Sequence, residues 1–233
     1  MSRLEPTGRR VEAEWLDVLP AGDPRAIRSR RDLVRVNALM SNPGIVAREL
    51  DARLPPGAAS LAEIGSGDGA FALRVARRMR RGERAITLLD RAMQPDRQCL
   101  DHLRAASWRA APVRADVFDW LRDPRTPRFD AIFANLFLHH FEPGRLEDLL
   151  RLVASRTRLF VACEPRRSRT ALLGSRLLGF LGCNDVTRHD AVTSVHAGFR
   201  DAELCALWGE RAGWRLEERP RGLFSHAFVA ERL

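Results

Sequence analysis

The chain has 233 residues, of which 45% are hydrophobic, and this suits one α/β domain with a sizeable core, or at most two small domains. Its formal net charge of +9 comes from arginine alone, because the sequence contains no lysine; tyrosine is also absent. The arginines are spread along the chain, which argues against nucleic acid as a partner, and no apolar run approaches the roughly 20 residues of a membrane span.

Residues 1–57 predict a helical extension before the main domain, which occupies 58–233. A helix begins at Pro24, with Asp23 as its N-cap, and continues to about Met40. A second helix, from Ile45 to Leu54, ends before two prolines and a glycine. Two interpretations stay open: this extension only covers the sheet, or it forms a lid over a ligand.

Residues 58–165 alternate between short apolar runs and amphipathic segments. A glycine-rich turn follows the first run, and the next segment predicts a helix from Ala70 to Arg81. Near-continuous apolar strands alternating with helices are typical of a parallel sheet that is covered on both faces. The further predicted strands are Ala85–Leu89, Pro112–Ala115, Phe129–Leu136 and Arg158–Cys163.

The remaining chain differs in character. An apolar helix over 168–182 and a polar loop over 184–194 lie within a segment, 166–200, that we expect to build an acceptor pocket. A further helix begins near Asp201. The runs 214–218 and 224–231 predict two strands that form an antiparallel edge pair.

The glycine-rich turn has the spacing Gly65-x-Gly67-x-Gly69 and is preceded by Glu63. A strand, a tight turn and a helix start bring backbone N–H groups close to a ligand. A pyrophosphate would be repelled by Glu63 and Asp68, whereas a cation such as a sulfonium with an α-amino group would be attracted. The turn therefore favours a cationic ligand over a dinucleotide.

Polar residues follow three other predicted strands. Asp90 comes after the second strand, Asp116 after the third, and Asn135 lies at the end of the fourth. The carboxyl ends of parallel strands meet at one edge, where ligands bind. Asp90 suits a ribose diol, and Asp116, with the N–H of Val117, suits an adenine.

The stretches 63–69 (EIGSGDG), 88–90 (LLD), 115–118 (ADVF) and 129–135 (FDAIFAN) resemble the successive motifs of class I S-adenosylmethionine-dependent methyltransferases. The resemblance implies a Rossmann-like, seven-stranded, mostly parallel sheet with S-adenosyl-L-methionine as cofactor. It implies that the cofactor is bound by Glu63, Gly65, Ser66, Gly67, Asp90, Arg91, Asp116, Val117, Asn135 and Leu136.

The methyl acceptor is predicted from other segments of the sequence. The stretch 135–141 (NLFLHHF) lacks the Asn/Asp-Pro-Pro-aromatic motif of methyltransferases that act on amide or ring nitrogen. The stretches 15–20, 29–33, 188–190 and 197–200 resemble methyltransferases associated with bacterial type III polyketide synthases. That resemblance implies O-methylation of a phenolic or polyketide-type hydroxyl on a small molecule, and the apolar helix over 168–182 suits an aromatic or apolar acceptor.

A phenol has a pKa near 10 and needs a base to react at neutral pH. Histidine suits this task, and the candidates are His139, His140 and His189. His102 and His226 are interpreted as structural. Three alternatives stay open: an RNA methyltransferase, suggested by the net charge; a non-catalytic S-adenosylmethionine-binding module; and a nicotinamide oxidoreductase, which the glycine spacing disfavours.

The four cysteines, Cys99, Cys163, Cys183 and Cys205, lack the spacing of a metal site or a disulfide framework. They predict reduced thiols in a cytoplasmic protein. We expect no metal cofactor, and the sequence gives no indication of the oligomeric state.

Overall fold

A computed structural model describes residues 8–20, 22–80 and 82–233. The other residues of the predicted extension, 1–7 and Ala21, lie outside the described residues, as does Arg81. The described chain contains a seven-stranded sheet in the order β3-β2-β1-β4-β5-β7-β6. The strands are β1 (Ala59–Ile64), β2 (Arg84–Asp90), β3 (Trp108–Arg114), β4 (Ala131–Asn135), β5 (Leu159–Pro165), β6 (Trp214–Arg221) and β7 (Ser225–Arg232).

Strands β1 to β5 run parallel, whereas β7 pairs antiparallel with both β5 and β6. The predicted Rossmann-like sheet and its antiparallel edge hairpin are therefore confirmed. The helices are α1 (Trp15–Val18), α2 (Pro24–Met40), α3 (Asn42–Arg53), α4 (Ala70–Ala76), α5 (Arg97–Ala105), α6 (Val117–Arg122), α7 (Pro143–Arg156), α8 (Arg169–Leu177), α9 (Asp185–Ala197) and α10 (Glu203–Trp208).

The sheet separates two apolar cores. One face packs against α3, α4 and α5, and the other packs against α6, α7 and α10. Side chains that alternate along β1 supply both cores: Leu61 faces the first, whereas Ala62 and Ile64 face the second. This two-sided burial explains why the strands read as continuous apolar runs in the sequence.

Strand order reverses beside β1, which lies between β2 and β4. In open α/β sheets, ligands bind outside the carboxyl ends of the strands at such a point. The register places Glu63 of β1 next to Leu88 of β2 and Phe133 of β4. The topology thus brings Glu63, Asp90 and Asn135 to the same edge of the sheet.

The helical extension contributes to the fold in two ways. Ile45, Val46 and Leu50 of α3 are buried in the first apolar core, so this helix is an integral part of the domain. By contrast, α1 and α2 pack against α9. Whether they move as a lid over a ligand stays a prediction.

Two local predictions were wrong. The polar loop expected over 184–194 is largely helix α9, which Asn184 caps by accepting a hydrogen bond from the Thr187 N–H. Helix α4 ends at Ala76, before the predicted end, and a tighter turn follows in which the Arg78 N–H donates to the Val75 carbonyl. Within the described residues, no helix is long and apolar enough to cross a membrane.

Candidate active site

The glycine turn joins β1 to α4 in a conformation that glycine favours. Gly65, Gly67 and Gly69 have φ values of 72°, 54° and 76°. A Cβ at Gly65 would also collide with the Phe137 ring. The Gly65 and Ser66 N–H groups donate to the Leu89 carbonyl at 2.9 and 3.0 Å, which fixes the turn against β2.

Glu63 lies at the end of β1, just before this turn, and its side chain is buried. Its Oε2 atom has no hydrogen-bond partner among the described residues, and neither does the buried Ser66 Oγ. Burial and the nearby charges of Asp68 and Asp90 raise the pKa of Glu63 well above its ordinary value, although a backbone hydrogen bond from Ala72 opposes them. A buried carboxyl that lies among acids and has one unpartnered oxygen fits a cationic ligand.

Asp90 connects the glycine turn to the loop after β2. Its Oδ2 accepts from the Gly67 N–H at 2.9 Å, and its Oδ1 accepts from the Ala92 and Met93 N–H groups at 2.8 and 2.9 Å. Each carboxylate oxygen has more than one acceptor site, so a ribose hydroxyl can also be bound. The neighbouring Arg91 is exposed, and its carbonyl accepts a 3.3 Å hydrogen bond from Arg114 Nε.

Replacing Asp90 with Ala is expected to weaken binding of S-adenosylhomocysteine by about 1.5–3 kcal/mol, the range for hydrogen bonds to charged groups. Isothermal titration calorimetry measures this directly. Asp101→Ala, an exposed position on α5, is the matched control and should leave the affinity unchanged. Equal affinities for the two variants would remove Asp90 from the site.

Asp116 and Val117 lie after β3, on the same edge of the sheet. Asp116 is the N-cap of α6, and its Oδ1 accepts from the Phe118 and Asp119 N–H groups at 2.8 and 3.4 Å. Val117 is the buried first residue of that helix. Asp116 therefore has a structural task as a cap, and the adenine role of this pair stays a prediction.

Asn135 ends β4 and connects it to the helical extension. Asn42 Nδ2 donates to Asn135 Oδ1 at 2.8 Å, and Asn135 Nδ2 donates to Asn37 Oδ1 at 3.3 Å. Leu136 follows with φ of 50°, a conformation that costs energy for a leucine and is typical of functional sites. Sequence reasoning missed Asn42, because nothing local indicates a partner 93 residues away.

His139 is buried in a short 3-10 turn after β4, between two carboxylates. Its Nδ1 lies 2.8 Å from Glu164 Oε2, and its Nε2 lies 3.3 Å from Glu14 Oε1. Burial disfavours the charged ring, yet these two hydrogen bonds raise the pKa of His139 to about 9. Burial likewise opposes the Glu14 charge, but its bond to His139 lowers the Glu14 pKa to about 2. A protonated ring with both nitrogens engaged is a poor general base.

This ion-paired cluster makes folding stability depend on pH. The His139 pKa of about 9 exceeds its ordinary 6.5, so its contribution is complete below pH 6.5 and disappears as the pH rises through 9. The Glu14 pKa of about 2 is below its ordinary 4.5, so its contribution is complete above pH 4.5 and disappears as the pH falls through 2. We therefore expect His139 and Glu14 together to stabilise the fold most between pH 4.5 and pH 6.5.

Thermal melting from pH 6.5 to 9.5 tests the alkaline limb. The Tm of the unmodified protein should fall across this range, and His139→Gln should flatten that fall. His102→Gln, an exposed change on α5, should retain it. Parallel curves for all three proteins would contradict the ion-pair account.

His140 is placed differently from its neighbour. Its side chain is 28% exposed, and its Nδ1 lies 3.5 Å from Asp17 Oδ2. Burial and the adjacent His139 charge lower the pKa of His140, which favours a neutral ring that can accept a proton. Burial raises the pKa of Asp17, although the charges of His140 and Arg91 act in the opposite direction.

His189 lies on α9 and faces the helical extension. Its ring stacks on Trp15, with centroids 3.9 Å apart, and its Nδ1 lies 3.0 Å from Asp190 Oδ1. Asp190 also accepts from the Trp15 and Leu16 N–H groups at 2.8 and 2.9 Å. His189 and Asp190, which were expected in a loop, therefore connect α9 to α1. Part of the His189 ring stays exposed.

Glu14, His139 and His140 place potential metal ligands within 4.8 Å of one another. Within this cluster, both ring nitrogens of His139 are already engaged, by Glu164 and by Glu14. The absence of a metal cofactor stays a prediction.

The fold and this edge of the sheet define a class of protein. A Rossmann-like sheet with a glycine turn and a buried carboxyl at its carboxyl edge suits a nucleoside with a cationic group. Residues 61–158 match the family model described as a methyltransferase domain. These residues thus form a methyltransferase domain, which confirms the predicted methyltransferase activity and the predicted S-adenosylmethionine cofactor.

Solved structures share the whole fold. The plantazolicin methyltransferase BpumL, in complex with SAH, has a TM-score of 0.61 at 12% identity, covering 91% of this chain and 92% of its own. An O-methyltransferase family protein from Burkholderia thailandensis has a TM-score of 0.59 at 18% identity, covering 91% and 61%. The mitomycin 7-O-methyltransferase MmcR has a TM-score of 0.55 at 19% identity, and the match covers 91% of this chain and 59% of MmcR. The chain thus spans about three fifths of the length of the last two proteins. No curated protein sequence matches it.

Proposed function

We propose that this methyltransferase acts on a hydroxyl oxygen of a small phenolic or polyketide-type acceptor. Two of the similar structures are described as O-methyltransferases, one of them of mitomycin. The chain also lacks the motif of many nitrogen methyltransferases after β4. The observation that carries the cofactor assignment is the buried Glu63 side chain beside the glycine turn, whose Oε2 has no partner among the described residues.

The residues on the carboxyl edge fit S-adenosylmethionine. Glu63 would attract its positive charge, and Ser66 Oγ and the glycine turn would contact its methionine part. Asp90 would bind the ribose, and Asp116 with Val117 the adenine. When bound, the cofactor supplies an electrophilic methyl group on a sulfonium ion, so transfer requires an aligned acceptor oxygen. Asn135 and Leu136 would lie beside that methyl group.

His140 is our first choice of general base. It follows Asn135 by five residues on the same edge, and its lowered pKa favours the form that can take the acceptor's proton. His189, oriented by Asp190, is the second choice. His139 would position the 3-10 turn through Glu164 rather than accept a proton.

The acceptor would be bound between the helical extension and residues 166–200. Helices α1 and α2 pack on α9, and Trp15, stacked on His189, offers an aromatic surface that is 42% exposed. An aromatic ring on this surface would gain the stacking energy that aromatic pairs provide. This arrangement favours an aromatic or apolar acceptor.

A panel of acceptors tests the reaction. Methyl transfer from labelled S-adenosylmethionine should be detected with simple phenols such as resorcinols, and the matching anilines should give at least tenfold less product. Total RNA should give none, and RNA binding should be undetectable at moderate salt. Labelled RNA would establish the RNA alternative. Cofactor binding without transfer to any class would favour the non-catalytic module.

A further inference from the structure

A cleft lies beyond the end of β5, apart from the residues assigned above to cofactor and base. Its volume is about 400 Å³, and it is lined by residues that follow β5, begin α8, precede α10 and lie on β6 and β7. Four of its residues are arginines, namely Arg166, Arg167, Arg169 and Arg200. Among the described residues that line it, the one acid is Asp201, whose Oδ2 lies 3.5 Å from Arg200 Nε. The cleft therefore has an excess of positive charge.

The N-terminus of α8 adds to this positive character. Ser168 caps the helix, and its Oγ accepts from the Ala171 N–H at 3.1 Å. The N–H groups of Arg169 and Thr170 precede the first intrahelical bond, which the Leu172 N–H makes to Ser168. Unengaged N–H groups at a helix N-terminus attract anions, together with the helix dipole.

Two buried side chains on the cleft each keep one nitrogen without a partner among the described residues. His226 is 1% exposed; its Nε2 lies 2.7 Å from Glu218 Oε1, but its Nδ1 is unpartnered. Arg167 is 3% exposed and bonds Gly198 and Glu203, yet its Nε is unpartnered. Buried polar atoms are rarely left unpaired, and both residues line the cleft.

We propose that this cleft binds an oxyanion, a carboxylate or a phosphate, through the guanidinium groups, the first N–H groups of α8 and the Thr170 hydroxyl. Arginine side chains match the geometry of such anions with paired hydrogen bonds. The unpartnered Nδ1 of His226 is a further polar atom at the cleft that can engage the ligand by a hydrogen bond. The anion is either free in solution or part of a larger ligand such as the acceptor.

Titration calorimetry at constant ionic strength tests the proposal, with inorganic phosphate and benzoate as probes and chloride as the reference anion. We expect saturable binding of at least one probe to the protein loaded with S-adenosylhomocysteine. Tighter binding of phosphate would identify a free-anion or phosphate-ester site, and tighter binding of benzoate would identify a carboxylate carried by a larger ligand. No saturable binding of either probe beyond chloride would overturn the proposal.

The matched variants are Arg169→Gln and Arg176→Gln. Both remove one exposed charge from α8, but only Arg169 lines the cleft. Arg169→Gln should weaken the preferred probe about tenfold, as expected for a charge-assisted hydrogen bond, whereas Arg176→Gln should change its affinity less than twofold. Equal weakening would show a general charge effect and overturn the site. The readout is independent of methyl transfer, so a wrong acceptor assignment would not affect it.

Discussion

Replacing Glu164 with Leu is expected to lower the free energy of unfolding by about 3–5 kcal/mol, the cost of breaking a buried ion pair. Glu164 is fully buried and accepts from the N–H groups of Phe137, Leu138 and His139 at 3.0, 3.0 and 3.4 Å. It also bonds His139 Nδ1. Leucine would leave three N–H groups and a charged ring without this partner, so the 3-10 turn that carries His140 would loosen.

Urea denaturation near pH 6 measures this effect. Glu147→Leu is the matched control, because this glutamate is exposed on α7, and surface changes of this kind fall within about 0.5 kcal/mol. Glu164→Gln retains an acceptor and should destabilise less than leucine. A loss below about 1 kcal/mol in Glu164→Leu would show that the carboxylate does not hold the turn.

Replacing His140 with Ala is expected to lower kcat/KM for a phenolic acceptor by about 10²- to 10⁴-fold, the usual contribution of a general base. The Kd for S-adenosylhomocysteine should stay within twofold, because the proposed role is proton transfer. In the unmodified enzyme, kcat/KM should rise with pH through an apparent pKa below 6.5, because burial and the His139 charge lower the His140 pKa. This limb should disappear in the variant.

Two further variants make the assignment specific. His102→Ala, at an exposed position on α5, should leave kcat/KM and the pH profile unchanged. His189→Ala should raise KM more than it lowers kcat, because His189 supports the Trp15 surface. If His189→Ala lost the rate and the pH limb while His140→Ala retained both, His189 would be the base.

The sheet and the edge that binds ligands could be predicted because their determinants are local. Continuous apolar runs indicated buried parallel strands, and the residues that end them, such as Asp90 and Asn135, necessarily meet at one edge. The glycine turn was recognisable because left-handed φ values at Gly65, Gly67 and Gly69 favour glycine.

The network around His139 could not be predicted, because its partners are distant in sequence. Glu14 lies 125 residues away from His139 and Glu164 lies 25 residues away. Helix α9 was missed for another reason. Its buried positions include the polar Thr187 and Asp190, which bond α2 and α1 respectively, so its amphipathic pattern is hidden in the sequence.

The most direct test of the central claim compares cofactors in one experiment. Calorimetric titration of the purified protein with S-adenosylhomocysteine should show one site per chain. Glu63→Gln should weaken S-adenosylmethionine more than S-adenosylhomocysteine, because only the former carries the sulfonium charge. NAD and NADP should give no binding heat. Binding of a nicotinamide dinucleotide, with no heat from either S-adenosyl compound, would contradict the account.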